Sequence, residues 1–136
     1  MDRLNDNAGN FKRNSNAIIG ANFETSAPSQ APILTKNWIE NLNYRLELCK
    51  NDDEKLLEIL NSHIEFERIH PFSDGNGRTG RLIMMYLCFQ EKIAPFVIEK
   101  EDRALYMSYL REQNVDIIFE KVKELQKFEQ KRIDKF

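Results

Sequence analysis

One short segment concentrates most of the side chains in this sequence that could do chemistry. The thirteen residues IHPFSDGNGRTGR, at positions 69–81, contain a histidine, a carboxylate, three glycines and two arginines. Glycines let backbone N–H groups converge on an anion, and guanidinium groups bind phosphate oxygens. An imidazole can accept a proton near neutral pH. The segment therefore indicates a phosphate site beside a general base.

The letters GNGRTG, at 75–80, also satisfy the G-x-G-x-x-G pattern of dinucleotide-binding proteins. That pattern requires a strand before the first glycine and a helix after the last. The residues before it, at 61–74, instead carry four charges, a proline and helical spacing, and no second strand with helical crossovers follows. We therefore favour a local anion site over a Rossmann-type fold.

Charge placement supports the same conclusion. The loop leads into a helix that we predict to begin near Arg78, and the first N–H groups of a helix favour anions. Arg78 and Arg81 lie three residues apart on one face of its first turn, where cations are unfavourable unless a polyanion binds. Asp74 would be repelled by phosphate unless a cation such as Mg²⁺ bridged them. His70 precedes this loop and can act as a base.

A zinc site formed by His63, His70 and Asp74 is a weaker hypothesis. No cysteine lies nearby, and His70 adjoins a loop broken by proline. His63 lies two helical turns before His70 on nearly the same face. There it would orient His70 or a water molecule, or pack in the core.

Hydrophobic periodicity predicts helices on both sides of the segment. One is expected to begin near Thr35 as its cap. The next is capped by Asn51 or Asp52 and ends at about His70, because Pro71 disfavours helix in the residue before it. The helix after the glycines is apolar nearly all round over 82–89, so we predict a buried central helix there. Residues 99–136 read as one or two amphipathic helices.

The N-terminal part has a different pattern. Residues 1–10 are polar, and residues 11–24 suggest a short β-hairpin or extended flap, with a polar stretch between apolar residues. Residues 25–33 contain two prolines, which argues against regular helix there.

Composition limits the classes of protein. The chain has 136 residues, 41% of them apolar and 31% charged, which suits one packed domain. A net charge of −2 argues against a nucleic-acid binder, and no apolar run approaches the roughly 20 residues of a membrane helix. Two cysteines are too few for a disulfide framework, and the N-terminus is not a signal peptide. We expect a cytoplasmic location and neither a nucleic-acid nor a membrane partner.

The segment also resembles a known family. HPFSDGNGRTGR, at 70–81, matches the Fic signature H-x-F-x-[DE]-G-N-G-R-x-x-R at every specified position. Residues 9–28 look like the flap hairpin of that family, and 106–110 lie in what looks like its closing helix. The resemblance implies one Fic-type domain over 1–136, all-α, with a flap hairpin at 11–24 and a helical core at 35–136.

Activity and residue roles are also implied by the resemblance. Fic proteins transfer AMP from ATP to a Ser, Thr or Tyr hydroxyl of a target protein and release pyrophosphate. His70 would be the base, Asp74 would hold Mg²⁺, and Phe72 would anchor the loop. The residues implied for phosphate binding are Gly75, Asn76, Gly77, Arg78 and Arg81. Ile18 and Ile19 in the flap are candidates for clamping the target or the nucleotide.

Two alternatives remain open. The fold could carry other chemistry, such as removal of AMP or transfer of another phosphate-containing group. It could also be a non-catalytic nucleotide-binding module, such as a toxin held silent by an antitoxin.

Fic proteins are often restrained by a helix with [ST]-x-x-x-E-[GN], and the nearest match here is SYLREQ at 108–113. It ends in Gln113 and lies inside the predicted closing helix, so we interpret it as unrelated. The chain begins almost at the flap, so we expect either a fragment or restraint by an antitoxin or other partner.

Overall fold

The computed structural model describes residues 10–13 and 25–136 of the chain. This part is predominantly helical, as predicted, and its strand-like element is an isolated antiparallel bridge between Phe11 and Phe72. Its α-helices are α1 (Ala31–Leu48), α2 (Asp52–Ile69), α3 (Asn76–Gln90), α4 (Arg103–Glu112) and α5 (Phe119–Asp134), with 3₁₀ turns at Lys100–Asp102 and Val115–Ile117. Most of the predicted hairpin, residues 14–24 with Ile18 and Ile19, lies outside the described residues.

Helix α1 begins earlier than the sequence pattern indicated. The predicted cap, Thr35, lies inside the helix, and its hydroxyl donates to the carbonyl of Ala31 at 2.7 Å. Pro32 falls in the first turn, where its missing N–H costs no helical hydrogen bond. The exclusion of residues 25–33 from helix was therefore wrong for the last three of them. Trp38 is buried, and its indole N–H donates to the carbonyl of Ser62 on α2.

Helix α2 has the ends that the sequence predicted. The Asn51 side chain accepts from the backbone N–H of Glu54 at 2.9 Å, and acidic residues fill the first turn, where the dipole favours them. At the other end Ile69 is the last helical residue, and His70 caps the helix immediately before Pro71. Both ends follow from local rules, because capping and the proline restriction involve only neighbouring residues.

The prediction of a buried central helix at 82–89 was wrong. Leu82, Tyr86 and Phe89 form one face of α3 and are 67%, 63% and 60% exposed. Helix α3 packs against α2 through its opposite side, where Met84 and Leu87 are buried. An apolar residue count cannot separate these faces, because the neighbours of a helix are set by the fold.

The central helix of the described region is α2, which packs against both α1 and α3. Its buried positions include three polar side chains in its C-terminal half, Ser62, His63 and Glu67. Helix α4 adds Tyr109, whose hydroxyl donates to the carbonyl of Leu60 at 2.5 Å. Cys49 and Cys88 are both free thiols. Among the described residues, the helices are too short or too polar to cross a membrane.

Candidate active site

His70 occupies a sharp turn at the exit of α2. Its backbone N–H still donates to the carbonyl of Phe66 at 2.8 Å, but its φ of +47° lies in the left-handed region. A non-glycine residue held there costs energy and is common at functional sites. The turn ends the helix, reverses the chain into Pro71 and places the imidazole at the start of the glycine loop.

The described N-terminal segment, residues 10–13, packs against this turn. The Phe11 ring stacks on the Phe72 ring with centroids 5.8 Å apart, and the backbone N–H of Lys12 donates to the carbonyl of Pro71 at 2.7 Å. Phe72 also packs against the hydrophobic core. These contacts fit the predicted anchoring role of Phe72. Phe11 adds to them by stacking on the Phe72 ring.

Two further side chains cap the C-terminal end of α2. Lys12 donates through Nζ to the carbonyl of Ile69 at 3.1 Å, and the hydroxyl of Ser26 donates to the same oxygen at 2.7 Å. Burial lowers the pKa of Lys12, yet an ammonium group suits the negative end of the helix dipole. Sequence reasoning missed both residues, because they lie 57 and 43 positions from their partner.

Asn76 holds the glycine loop closed. Its side-chain oxygen accepts from the backbone N–H of Phe72 at 2.9 Å, and its amide nitrogen donates to the carbonyl of Phe72 at 2.7 Å. The residue is 3% exposed. With the side-chain oxygen and one amide hydrogen engaged, the backbone N–H and the second amide hydrogen are the groups through which Asn76 would contact an anion.

Helix α3 starts where the glycines allow it. Gly75 is its cap, with a φ of +76° that a side chain would strain, and the helix begins at Asn76, two residues before the predicted start at Arg78. The first N–H groups of this helix have no carbonyl four residues earlier in the helix, so they can bind an anion.

Arg81 reaches back over this helix end. A Cβ placed on Gly77 would lie 3.2 Å from a terminal guanidinium nitrogen of Arg81. The same guanidinium lies 5.7 Å from the centre of the Tyr106 ring on α4. Arg78 and Arg81 both line a groove of about 260 Å³ whose other walls are apolar residues of α3 and 96–98. The two predicted phosphate-binding arginines therefore share one groove.

Asp74 is exposed, and its carboxylate accepts from the backbone N–H of Gly75 at 2.8 Å. Residues 10–13 and 25–136 contain no cluster of three His, Cys, Asp or Glu side chains arranged to hold a metal ion. A single exposed carboxylate suits magnesium, which is commonly held by one or two carboxylates together with substrate phosphates and water. Asp74 therefore fits the predicted role.

A buried polar cluster lies behind the site. Glu67 is 3% exposed, and its Oε2 lies 3.7 Å from Nδ1 of His70, while Oε1 lies 4.0 Å from Nε2 of His63. That His63 nitrogen is 2.6 Å from the hydroxyl of Tyr106. Burial lowers the pKa of His63 to about 4, so the ring is neutral at neutral pH. Burial also raises the pKa of Tyr106 to about 12. His63 thus packs in the core and still contacts the group behind His70.

The candidate restraining glutamate is engaged elsewhere. Glu112 lies 3.4 Å from the Arg111 guanidinium, which also donates to the hydroxyl of Ser108. Among the described residues, neither side chain forms a hydrogen bond or an ion pair with Arg81. This placement agrees with the interpretation of SYLREQ as part of a core helix.

Comparison with known proteins identifies the family. The model of the Fic/DOC family matches residues 1–88, and the chain therefore belongs to that family. A protein adenylyltransferase Fic from Aedes aegypti is 45% identical over 53 residues, which are 39% of this chain and 11% of that protein. A probable protein adenylyltransferase from Aquifex aeolicus is 28% identical over 109 residues, covering 75% of this chain and 30% of the relative.

The fold has a relative among solved structures. A Fic-domain-containing signalling protein from Bacteroides thetaiotaomicron superposes with a TM-score of 0.65 and 25% identity over 74% of this chain and 38% of that one. The chain thus spans well under half the length of these relatives.

Proposed function

We propose that this chain is a protein adenylyltransferase domain that transfers AMP from ATP to a Ser, Thr or Tyr hydroxyl of a target protein. The observation that carries the proposal is the placement of His70, a potential base, at the start of the short loop that leads into α3, whose first two turns bear Arg78 and Arg81. The names of the relatives support the same activity.

The reaction would be a single displacement at the α-phosphorus. The target hydroxyl oxygen forms a bond to that phosphorus, while the bond from phosphorus to the oxygen bridging the α- and β-phosphates breaks. Pyrophosphate leaves with that bridging oxygen, and the hydroxyl proton passes to the His70 imidazole. Because ATP is already an activated donor, catalysis needs mainly positioning and neutralisation of charge.

The phosphate charge would be met by three kinds of group. Backbone N–H groups of Gly75, Asn76 and Gly77 would approach the phosphate oxygens. Asn76 and Gly77 are the first two residues of α3, so their N–H groups lie at the helix N-terminus. Arg78 and Arg81 would bind the β- and γ-phosphates through their guanidinium groups. Magnesium, when bound, would neutralise phosphate charge, and Asp74 would hold it.

Target recognition is assigned to the flap at 11–24. A strand added by the target would present its hydroxyl to His70, with Ile18 and Ile19 as candidate clamps. This part of the proposal rests on the resemblance to the family. An antitoxin or other inhibitory partner would be expected to act on Arg81, the second arginine of the motif.

The test is incubation with magnesium and ATP radiolabelled at its α-phosphate, with and without cell lysate, beside His70→Ala. Label on a protein band is expected with the unaltered chain only, while ATP binding by the variant stays nearly unchanged. Label at equal intensity with His70→Ala would contradict the proposal. Parallel reactions with α-labelled GTP, CTP and UTP would identify the preferred nucleotide.

A further inference from the structure

We propose that Glu67 is a positioning residue for His70: its carboxylate faces Nδ1 of the imidazole, keeps the ring proton on that nitrogen and leaves Nε2 to accept the proton of the target hydroxyl. The proton-accepting half of this inference rests on the proposed function. The orientation and the tautomer of His70 do not rest on the proposed function, because they are properties of the protein without substrate.

The geometry starts with the spacing on α2. Glu67 and His70 are three residues apart, so their side chains lie on one face of the helix end. The 3.7 Å between Oε2 and Nδ1 exceeds a hydrogen bond but lies within ion-pair range. Catalytic hydrogen bonds are often long without substrate and tighten in the reactive complex. The His70 side chain is 15% exposed, so one edge of the ring faces the buried carboxylate while the ring remains accessible.

A buried carboxylate requires an explanation. Removing a carboxylate from water is costly unless hydrogen bonds or a partner charge compensate. Oε1 of Glu67 is buried and has no hydrogen-bond partner among the described residues. A complete set of hydrogen bonds therefore does not explain why this carboxylate is buried. Buried polar groups are normally hydrogen-bonded, and exceptions to this rule are expected at functional or strained sites.

The walls of the cluster limit where this carboxylate can go. His63 lies on one side, held by Tyr106 at 2.6 Å. Gly80 of α3 lies on another, so close that an added Cβ would stand 2.9 Å from Oε1 of Glu67. With these two sides occupied, Oε2 is left directed toward His70. Since His63 is neutral, it does not compete with His70 as a charged partner.

The same cluster reaches the phosphate side of the site. Tyr106 contacts His63 through its hydroxyl, and its ring lies beneath the Arg81 guanidinium. One set of packed side chains therefore links the arginine proposed to bind phosphate with the group that orients the base.

The chain contains two histidines, which makes the tautomer directly measurable. Ring ¹⁵N NMR spectra at neutral pH would show two imidazoles, and His63→Gln would assign them. We expect the proton of neutral His70 on Nδ1 in the unaltered protein. Glu67→Met removes the acceptor at similar volume and is expected to shift His70 toward the tautomer mixture of an unconstrained imidazole.

Kinetics supply the second readout. Glu67→Met is expected to lower kcat for AMP transfer by about 100-fold or more, the range of general-base effects, with KM for ATP nearly unchanged. Glu67→Gln keeps an acceptor oxygen and is expected to restore part of the rate. Glu65→Met is the matched control: it lies on α2, half-exposed and paired with Arg45, and should leave tautomer and rate unaltered.

The outcomes separate the two proposals. A His70 proton on Nε2 in the unaltered protein, or the same tautomer population in Glu67→Met, would overturn the positioning role. If Glu67→Met fails to fold, the tautomer of the unaltered protein and the spectrum of Glu67→Gln still decide the matter. A tautomer that depends on Glu67 in a protein that never transfers AMP would support the positioning role and count against the proposed function alone.

Discussion

Gly80 on α3 lies directly against His63 on α2. A Cβ built on Gly80 would stand 2.7 Å from Cε1 of His63 and 2.9 Å from Oε1 of Glu67, closer than side-chain carbons pack in proteins. The glycine therefore sets how closely α3 approaches the central helix. This position is unspecified in the Fic signature, yet the packing of the site depends on it.

We expect Gly80→Ala to lower the free energy of unfolding by about 1–3 kcal/mol, because the added methyl group overpacks a buried region. Thermal or urea unfolding measures this directly. Gly77→Ala is the matched comparison, since its Cβ would meet the guanidinium end of Arg81 at 3.2 Å, which can move. That variant should keep its stability and lose affinity for ATP. Equal stability losses in both variants would contradict the packing argument.

Asn76→Ala is expected to open the loop that carries the site. It removes two hydrogen bonds to the Phe72 backbone in a buried position, and a buried group left without a partner costs about 1–3 kcal/mol. Urea unfolding should report the loss. Asn61→Ala, at an exposed position of α2, is the control and should change stability little.

Asn76→Asp tests the two hydrogen bonds of the Asn76 side chain separately. The carboxylate can still accept from the Phe72 N–H but cannot donate to the Phe72 carbonyl, so like partial charges face each other. We expect this variant to be destabilised as well. Stability equal to that of the unaltered chain would show that the amide donor contributes nothing.

Removal of the α2 cap should weaken the whole domain. Asn51→Ala deletes the acceptor for the Glu54 N–H and is expected to cost roughly 0.5–2 kcal/mol, the usual value of such a cap. Asn51→Ser should recover most of the loss, because serine also caps. If Asn51→Ser and Asn51→Ala were equally unstable, capping would not be the cause.

Stability should depend on pH through His63. Burial lowers the pKa of His63 to about 4, while in the unfolded chain the ring takes up a proton near pH 6.5. Between these values the unfolded state binds more protons, so the free energy of unfolding falls as pH drops from about 6.5 to about 4, by roughly 3 kcal/mol. The contribution is fully present above about pH 6.5.

The carboxylates titrate at the acid end of the same range, so a difference between two proteins is the useful quantity. The difference between the urea midpoints of the unaltered chain and of His63→Gln should be larger near pH 7 than near pH 4.5. The groups that face His63 in the unaltered chain, Glu67, Arg81, Tyr106 and Tyr109, are unchanged in the variant. Parallel pH profiles would contradict a buried neutral ring.

Local sequence rules predicted the ends of α2 and the general place of the site. Asn51 caps the helix and Pro71 stops it, and both effects act within a few residues along the chain. The residues proposed for chemistry, from His70 to Arg81, lie within twelve positions, so one turn and the start of one helix bring them together. The roles assigned to them within that segment, and those of Ile18 and Ile19, remain predictions.

Only the tertiary structure decided what surrounds that segment. Periodicity placed the buried helix at 82–89, whereas the fold buries α2 and leaves Leu82 on the surface, because burial depends on which elements pack on each side. Behind His70, the contact of Tyr106 with His63 and that of Lys12 with the carbonyl of Ile69 join residues far apart in sequence. The sequence by itself determined the chemical groups of the site, and the packing of distant helices determined which of those groups face one another and which are removed from water.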